Sequence, residues 1–116
     1  MSTRFLPGEH VRKRADFELI YKTGLKRSGR LMTMFTRERD AGPSRLGIAA
    51  TRKMGGAVER NRAKRLVREL FRKNKPASAT DVVVVPRREI VDAAFERVEA
   101  EFRSLLSRSS RRPVHA

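Results

Sequence analysis

The chain has 116 residues, no cysteine and a formal net charge of +15 at pH 7. Its length suits one domain with a modest core, since domains commonly contain about 100 to 150 residues. The lack of cysteine excludes disulfides, thiolate zinc sites and thiol catalysis. The sequence has neither an apolar run near the ~20 residues of a membrane span nor an apolar signal segment. We therefore expect a cytoplasmic protein without a membrane partner.

The two ends of the chain are expected to lie outside the folded core. Residues 1–9 contain a Pro-Gly pair and are predicted to form a flexible arm. Residues 108–116, which include Arg111 and Arg112, are predicted to form a disordered basic tail. A single folded domain is therefore expected over residues 10–107.

The first predicted element is a short helix over residues 13–23. Phe17, Ile20 and Tyr21 recur at positions i, i+3 and i+4, which is the spacing of one helical face. Gly24 follows directly and is suited to closing a helix. The apolar face of this helix is expected to pack on the rest of the domain.

Two strand segments follow the helix. Residues 25–29 are predicted to form a brief strand, and residues 31–36 a longer one, because the second segment is rich in strand formers. The segment 40–44 contains Asp, Gly, Pro and Ser, which end a strand. The short interval between the two strands is compatible with a hairpin.

A third strand is predicted over residues 46–51, and its two faces differ in size. Successive side chains of a strand point to opposite faces, so alternate residues share a face. The first face carries larger apolar residues and the second carries small ones: Leu46, Ile48 and Ala50 against Gly47, Ala49 and Thr51.

A long amphipathic helix is predicted over residues 57–73, between a glycine pair and Pro76. Its apolar stripe must pack on the domain, whereas its opposite face is basic. The stripe consists of Ala63, Leu66, Val67, Leu70 and Phe71. The opposite side of the helix carries Asn61, Arg62, Lys64, Arg65, Arg68 and Arg72.

The remaining elements are a buried strand and a covering helix. Residues 81–85 form a continuous apolar run after Asp81, typical of a central strand covered on both faces. Residues 90–107 place apolar side chains at helical spacing. The order helix, strands, helix, strand, helix predicts an α+β domain with a two-layer sandwich architecture. A strand-helix-strand crossover is normally right-handed.

The positive charge is concentrated in residues 52–75. This segment holds ten basic residues against two acidic ones, Glu59 and Glu69, and so carries a net +8 of the total +15. Charge gathered on one element is the electrostatic pattern of a nucleic-acid-binding protein. An acidic membrane surface is the alternative partner.

The sequence offers little for catalysis by the protein itself. Its only histidines are His10, next to the presumed N-terminal arm, and His115, in the presumed tail, which argues against a two-histidine ribonuclease site. The pair Gly55-Gly56 lacks the spacing of a nucleotide-binding loop, so a plain turn is favoured. The carboxylates resemble ordinary surface residues, although a metal site assembled by folding remains open. We assign no catalytic and no metal-binding residue.

The aromatic residues Phe17, Tyr21 and Phe35 have two interpretations. They can belong to the core, or they can line a groove. Phe35 lies on the strand face opposite Met32 and Met34, so if the methionines are buried, Phe35 shares a face with the small residues of the third strand. A groove with small residues below and aromatic side chains at its walls would hold an extended single strand of nucleic acid by stacking.

Residues 45–71, RLGIAATRKMGGAVERNRAKRLVRELF, closely resemble the signature of the bacterial ribonuclease P protein. The similarity extends over residues 11–106. The resemblance implies the order α-β-β-β-α-β-α with a left-handed crossover around the basic helix. It also implies a non-catalytic protein subunit of an endonuclease, in which a catalytic RNA removes the 5′ leader of precursor tRNA.

The resemblance further implies which residues contact which RNA. The positions matching the family's contacts to the catalytic RNA are Arg52, Lys53, Arg60, Asn61, Arg62, Lys64, Arg65 and Arg68. The positions matching its contacts to the precursor-tRNA leader are Phe17, Tyr21, Phe35, Ala49 and Thr51. The protein is expected to be monomeric, with one copy per RNA, and to bind no cofactor alone. Mg²⁺ is expected in the complex, held mainly by the RNA.

Two further functions are compatible with these residues. A ribosomal or RNA-chaperone protein would also carry a basic helix on a small α+β fold. A protein-only nuclease would cleave RNA without an RNA partner, and the position of both histidines near the ends of the chain argues against it.

Overall fold

A computed structural model describes residues 7–110 of the chain and contains three helices and one sheet. The α+β prediction is confirmed, and the elements follow the expected order. Their bounds are α1 Arg14–Thr23, β1 Leu25–Ser28, β2 Met32–Glu38, β3 Arg45–Ile48, α2 Ala57–Lys73, β4 Thr80–Pro86 and α3 Phe95–Ser110.

The four strands form one sheet in the order β1-β2-β4-β3. β1 and β2 form the predicted antiparallel hairpin, and β2 also pairs antiparallel with β4. β3 and β4 are parallel neighbours joined through α2, so this unit is the expected crossover. Its left-handedness stays a prediction. The central position of β4 explains its apolar run, because Val82, Val83 and Val84 are fully buried.

The main core lies between α2, α3 and one face of the sheet. From the sheet it receives Met32 and Met34, which are fully buried as expected for the face opposite Phe35. The stripe of α2 is buried as predicted except for Leu66, which is half-buried. Because this stripe faces the sheet, the basic residues of α2 are directed toward solvent.

The opposite face of the sheet is covered only in part, by α1 and the segment before it. Ile20 of α1 and Val11 form a small second core with Val83. Phe17 and Phe35 pack against this cluster and remain partly buried. The rest of this face stays accessible beside α1, where the sequence places the groove.

Several element boundaries differ from the prediction, most clearly the end of β3 and the start of α3. β3 ends at Ile48, although the N–H of Ala49 still donates to the carbonyl of Val84 at 2.9 Å. α3 begins at Phe95, because the preceding Arg88–Asp92 forms a 3-10 turn and Ala93 is extended, with ψ 149°. Ile90 lies in that turn and is fully buried. Its apolar character therefore reflects the core rather than a longer helix.

The predicted terminal arms are shorter than expected where the structure describes them. Pro7–Glu9 forms a 3-10 turn, and buried Glu9 pairs with Lys75 at 2.8 Å. His10 forms a parallel bridge with Leu46, so it belongs to the sheet and not to an arm. α3 continues to Ser110, which places residues 108–110 in a helix. Residues 1–6 and 111–116 lie outside the described part. None of the described helices could cross a membrane.

Candidate nucleic-acid interface

The solvent side of α2 carries an array of cations with no acidic partners. Asn61, Arg62, Arg65 and Arg68 are exposed, and Arg60 and Lys64 are half-buried. Within the part of the chain that the structure describes, no carboxylate lies within ion-pair distance of these five cations. We call these six residues the basic face of α2.

The two acidic residues of α2 are engaged at its ends. Glu59 accepts a hydrogen bond from the N–H of Gly56 at 3.0 Å and so caps the start of the helix. Near the other end, Glu69 pairs with Arg72 and Lys73. The hydrogen bond from Arg72 and the nearby positive charges lower the pKa of Glu69. Arg72 is therefore partly neutralised, whereas the basic face keeps its full charge.

A sharp turn before α2 extends the basic face. Arg52 and Lys53 are exposed in the 3-10 turn Arg52–Met54. Gly55 then adopts a φ of 146°, which L side chains rarely tolerate, and a Cβ there would also approach the side chain of Glu59. The glycine thus lets the chain turn directly from the two exposed cations into the helix.

Three aromatic rings gather on the partly covered face of the sheet. The rings of Phe17 and Tyr21 lie 6.3 Å apart, and Tyr21 meets Phe35 edge-on at 4.8 Å. The Nζ of Lys26 lies 5.9 Å from the centre of the Phe35 ring. Tyr21 is 39% exposed, and partial burial of its hydroxyl raises its pKa. We call this cluster, together with Ala49 and Thr51, the aromatic groove.

The small-residue face of β3 is less open than alternation suggested. Gly47 is buried, because a Cβ on it would lie 2.8 Å from the ring of Phe17 and 3.0 Å from Val11. The ring of Phe17 therefore rests on Gly47 and leaves no free surface there. Ala49 is half-buried and Thr51 is exposed, so the accessible part of this face begins after Gly47.

An ion-pair network holds α1 over the sheet and so positions Phe17. Asp81 is 1% exposed and accepts two hydrogen bonds from Arg45, at 2.8 and 2.9 Å. Arg39 approaches the same carboxylate at 3.4 Å, and Arg45 also lies 3.6 Å from Asp16 on α1. The hydrogen bond to Asp81 raises the pKa of Arg45. The network links α1, β3 and β4.

A cavity of about 160 Å³ lies where the aromatic groove meets the basic face. Its walls include Phe17 and Gly47 on one side and Lys64 and Arg68 on the other, with His10 at the same opening. His10 is not among the site residues that the sequence predicts. A single parallel bridge leaves no periodic pattern in the sequence, so no local signal could have placed His10 beside α2.

The sequence was compared with protein families and with known relatives. The family model described as Ribonuclease P matches residues 5–110. The ribonuclease P protein component of Thermotoga maritima is 41% identical over 101 residues, covering 85% of this chain and 86% of the relative. That of Syntrophus aciditrophicus is 35% identical over 102 residues, covering 86% of both.

Solved structures show the same fold. The ribonuclease P protein from Thermotoga maritima superposes with a TM-score of 0.77 at 39% identity, covering 86% of this chain and 96% of that one. The Staphylococcus aureus protein gives a TM-score of 0.75 at 32% identity, covering 85% and 93%. With a family match along nearly the whole chain, these relatives show that the chain belongs to the ribonuclease P protein family, which acts with a catalytic RNA in 5′ processing of tRNA.

Proposed function

We propose that this protein attaches to the catalytic RNA through α2 and holds the 5′ leader of precursor tRNA in the aromatic groove. The observation that carries the proposal is the meeting of these two surfaces at one cavity, lined by Phe17 from the groove and by Lys64 and Arg68 from the basic face. A protein with this arrangement can contact two RNA molecules at once. The site of action is the bacterial cytoplasm, with one protein per catalytic RNA.

Docking on the catalytic RNA rests on charge. The cations of the basic face have no acidic partners among the described residues, so an RNA backbone can neutralise them without breaking an existing ion pair. Side chains three or four residues apart share one helix face, so the charges form a line. The proposed docking residues are Arg52, Lys53, Arg60, Asn61, Arg62, Lys64, Arg65 and Arg68.

Leader binding rests on the rings. Tyr21 keeps a partly exposed face, and Lys26 adds a cation beside Phe35. Stacking of bases on aromatic side chains tolerates different sequences, which suits leaders that differ between precursor tRNAs. The proposed leader-binding residues are Phe17, Tyr21, Phe35, Ala49 and Thr51.

The described residues do not fit a protein-bound metal site. Asp81 is bonded to two arginines, Glu101 accepts three backbone N–H groups, and Glu69 pairs with Arg72 and Lys73. Among residues 7–110, no three acidic or histidine side chains are grouped as metal ligands. We propose that the Mg²⁺ of the complex is held mainly by the RNA and that the protein binds no cofactor alone.

The first test is reconstitution at low Mg²⁺. Cleavage of precursor tRNA is measured with the ribonuclease P RNA of the same organism, with the protein, and with both. The expected result is cleavage by the RNA and protein together and none by the protein alone, because the positive surface reduces repulsion between two polyanions. The comparisons do not favour a ribosomal or RNA-chaperone protein, which would leave cleavage unchanged. Cleavage by the protein alone would contradict the proposal.

A further inference from the structure

We propose that the cavity between α1, β3 and α2 is a pocket for a single backbone phosphate of the precursor-tRNA leader, with His10, Lys64 and Arg68 as its donors. The inference rests on the proposed function, because it assigns the occupant of a cavity beside the aromatic groove. It adds His10 to the site. It also assigns Lys64 and Arg68 a place between the two RNA molecules, where they contact the leader as well as the catalytic RNA.

The two walls of the cavity differ in chemistry. One wall consists of the ring of Phe17 and the backbone of Gly47, which lie in direct contact. The other consists of Lys64 and Arg68, one helical turn apart on α2. A nucleotide has the same two parts, an apolar ring face and an anionic phosphate. A base stacked in the aromatic groove would therefore bring its phosphate toward the cations.

The size and charge of the cavity suit a phosphate group. A cavity of about 160 Å³ is large enough to hold several waters, so a phosphate group fits in it. Lys64 and Arg68 have no acidic partner among the described residues. The buried side chains of Val11 and Leu46 also line the cavity, and a charge-assisted hydrogen bond is stronger beside such apolar groups than in open water.

His10 is held at the opening by the backbone. It forms the parallel bridge to Leu46, and the next residue donates its N–H to the Leu46 carbonyl at 2.9 Å. The backbone of His10 is thus fixed beside the strand that carries Gly47, and His10 lines the cavity from there. Four parts of the chain line this pocket: the segment before α1, helix α1, strand β3 and helix α2.

The charges around His10 make its protonation sensitive to an anion. Burial lowers its pKa, and the positive charges of Arg12 and Arg68 lower it further. Glu9 opposes this effect, although its carboxylate is paired with Lys75. A bound phosphate would favour the protonated imidazole, so binding would raise the pKa of His10 and take up a proton. By linkage, binding then tightens as the pH falls through the range where His10 titrates.

The first test uses sulfate, whose charge does not change across this pH range. The imidazole signals of His10 and His115 are titrated by NMR with and without sulfate, and His10→Gln identifies the His10 signal. We expect sulfate to raise the pKa of His10 in the wild-type protein and to do so much less in Lys64→Ala. Arg97→Ala, which removes an exposed cation on α3, serves as the control and should behave as wild type. If sulfate raised the pKa of His10 equally in Lys64→Ala and in the wild type, the pocket assignment would be wrong.

The second test asks whether the phosphate belongs to the leader. Equilibrium binding of precursor and mature tRNA to the preassembled complex is measured at about pH 5.5 and about pH 8, on either side of the histidine range. Wild-type complex is expected to bind precursor up to roughly tenfold more tightly at the lower pH, the size of one charge-assisted hydrogen bond. His10→Gln should lose this difference, and mature tRNA should not show it.

The results separate this inference from the proposed function. If His10→Gln keeps the full pH difference while the leader still increases affinity, the groove assignment stands and the pocket assignment is wrong. If the leader adds no affinity at either pH in the wild-type complex, the proposed function itself fails. A sulfate response at His10 without any effect on precursor binding would show an anion site that the leader does not use.

Discussion

At the scale of single residues, Gly47 determines the shape of the groove. Its lack of a side chain lets the ring of Phe17 and the side chain of Val11 approach the strand directly. Glycine lowers strand stability in general, so its presence within β3 indicates a close approach by another group. The result is a fixed ring at the boundary between the groove and the cavity, where a base and its phosphate are proposed to separate.

Gly47→Ala is therefore expected to displace Phe17 and destabilise the protein. A methyl group at 2.8 Å from ring carbons forces the ring outward, and overpacking of this kind costs about 1 to 3 kcal/mol. Denaturant unfolding gives the free-energy change, and loss of NMR contacts between Phe17 and Val11 reports the displacement. Gly8→Ala is a matched control, because no atom lies within 4 Å of a Cβ at that exposed glycine. An unchanged unfolding free energy for Gly47→Ala would refute the packing argument.

At the scale of elements, one carboxylate joins α3 to the turn between β1 and β2. Glu101 accepts hydrogen bonds from the backbone N–H groups of Arg30, Leu31 and Met32, at 3.0, 2.8 and 3.0 Å. These donors would otherwise lack partners in a tight turn. Gly29 fits this arrangement, because a Cβ there would collide with the carboxylate of Glu101. The contact fixes the hairpin relative to the helix that covers the core.

We expect Glu101→Gln to weaken this contact while keeping its shape. Glutamine has one acceptor oxygen and no charge, so it cannot accept all three hydrogen bonds that the carboxylate accepts. The free energy of unfolding should therefore fall by about 1 to 2 kcal/mol. Glu89→Gln provides the control, since Glu89 is exposed in the turn before α3. Hydrogen exchange at the amides of Leu31 and Met32 should become faster only in Glu101→Gln. Equal stability of both variants would argue against this anchoring role.

The sequence predicts features that depend on neighbouring residues, but not those that depend on distant parts of the chain. The bounds of α2 follow fully from periodicity, because its apolar stripe and its end signals are local. The start of α3 does not, because buried Ile90 mimics the helical pattern while its 3-10 turn depends on the core. Strand alternation predicts the sheet face of Phe35, and helical spacing places Phe17 and Tyr21 on one face of α1. The contact of Phe17 with Gly47 could not be predicted, since it depends on how the Asp81 network holds α1.

At the scale of the whole molecule, interior ion pairs contrast with exposed cations, which are concentrated on the basic face. Several acidic side chains are committed to internal contacts, such as Asp81 with Arg45 and Glu9 with Lys75. Much of the net charge of +15 therefore remains available to polyanions. The basic face and the aromatic groove attract RNA by different physical effects. Displacement of counterions drives the first and base stacking drives the second, so added salt should affect them unequally.

This difference gives a prediction that separates the two RNA contacts. Affinity of the protein for the catalytic RNA should fall steeply with salt, with a log-log slope between about −3 and −6, because up to seven proposed cations meet phosphates. Arg65→Ala should reduce the steepness by about one, whereas Arg97→Ala on α3 should leave it unchanged. Phe35→Ala should instead weaken binding of leader-bearing precursor by about 1 to 3 kcal/mol at every salt concentration, since stacking releases no counterions. Filter binding across a salt series measures both quantities. If the affinity for the catalytic RNA did not depend on salt, the assignment of α2 as the docking surface would be wrong. If the effect of Phe35→Ala vanished at high salt, the groove would hold the leader by charge and not by its rings.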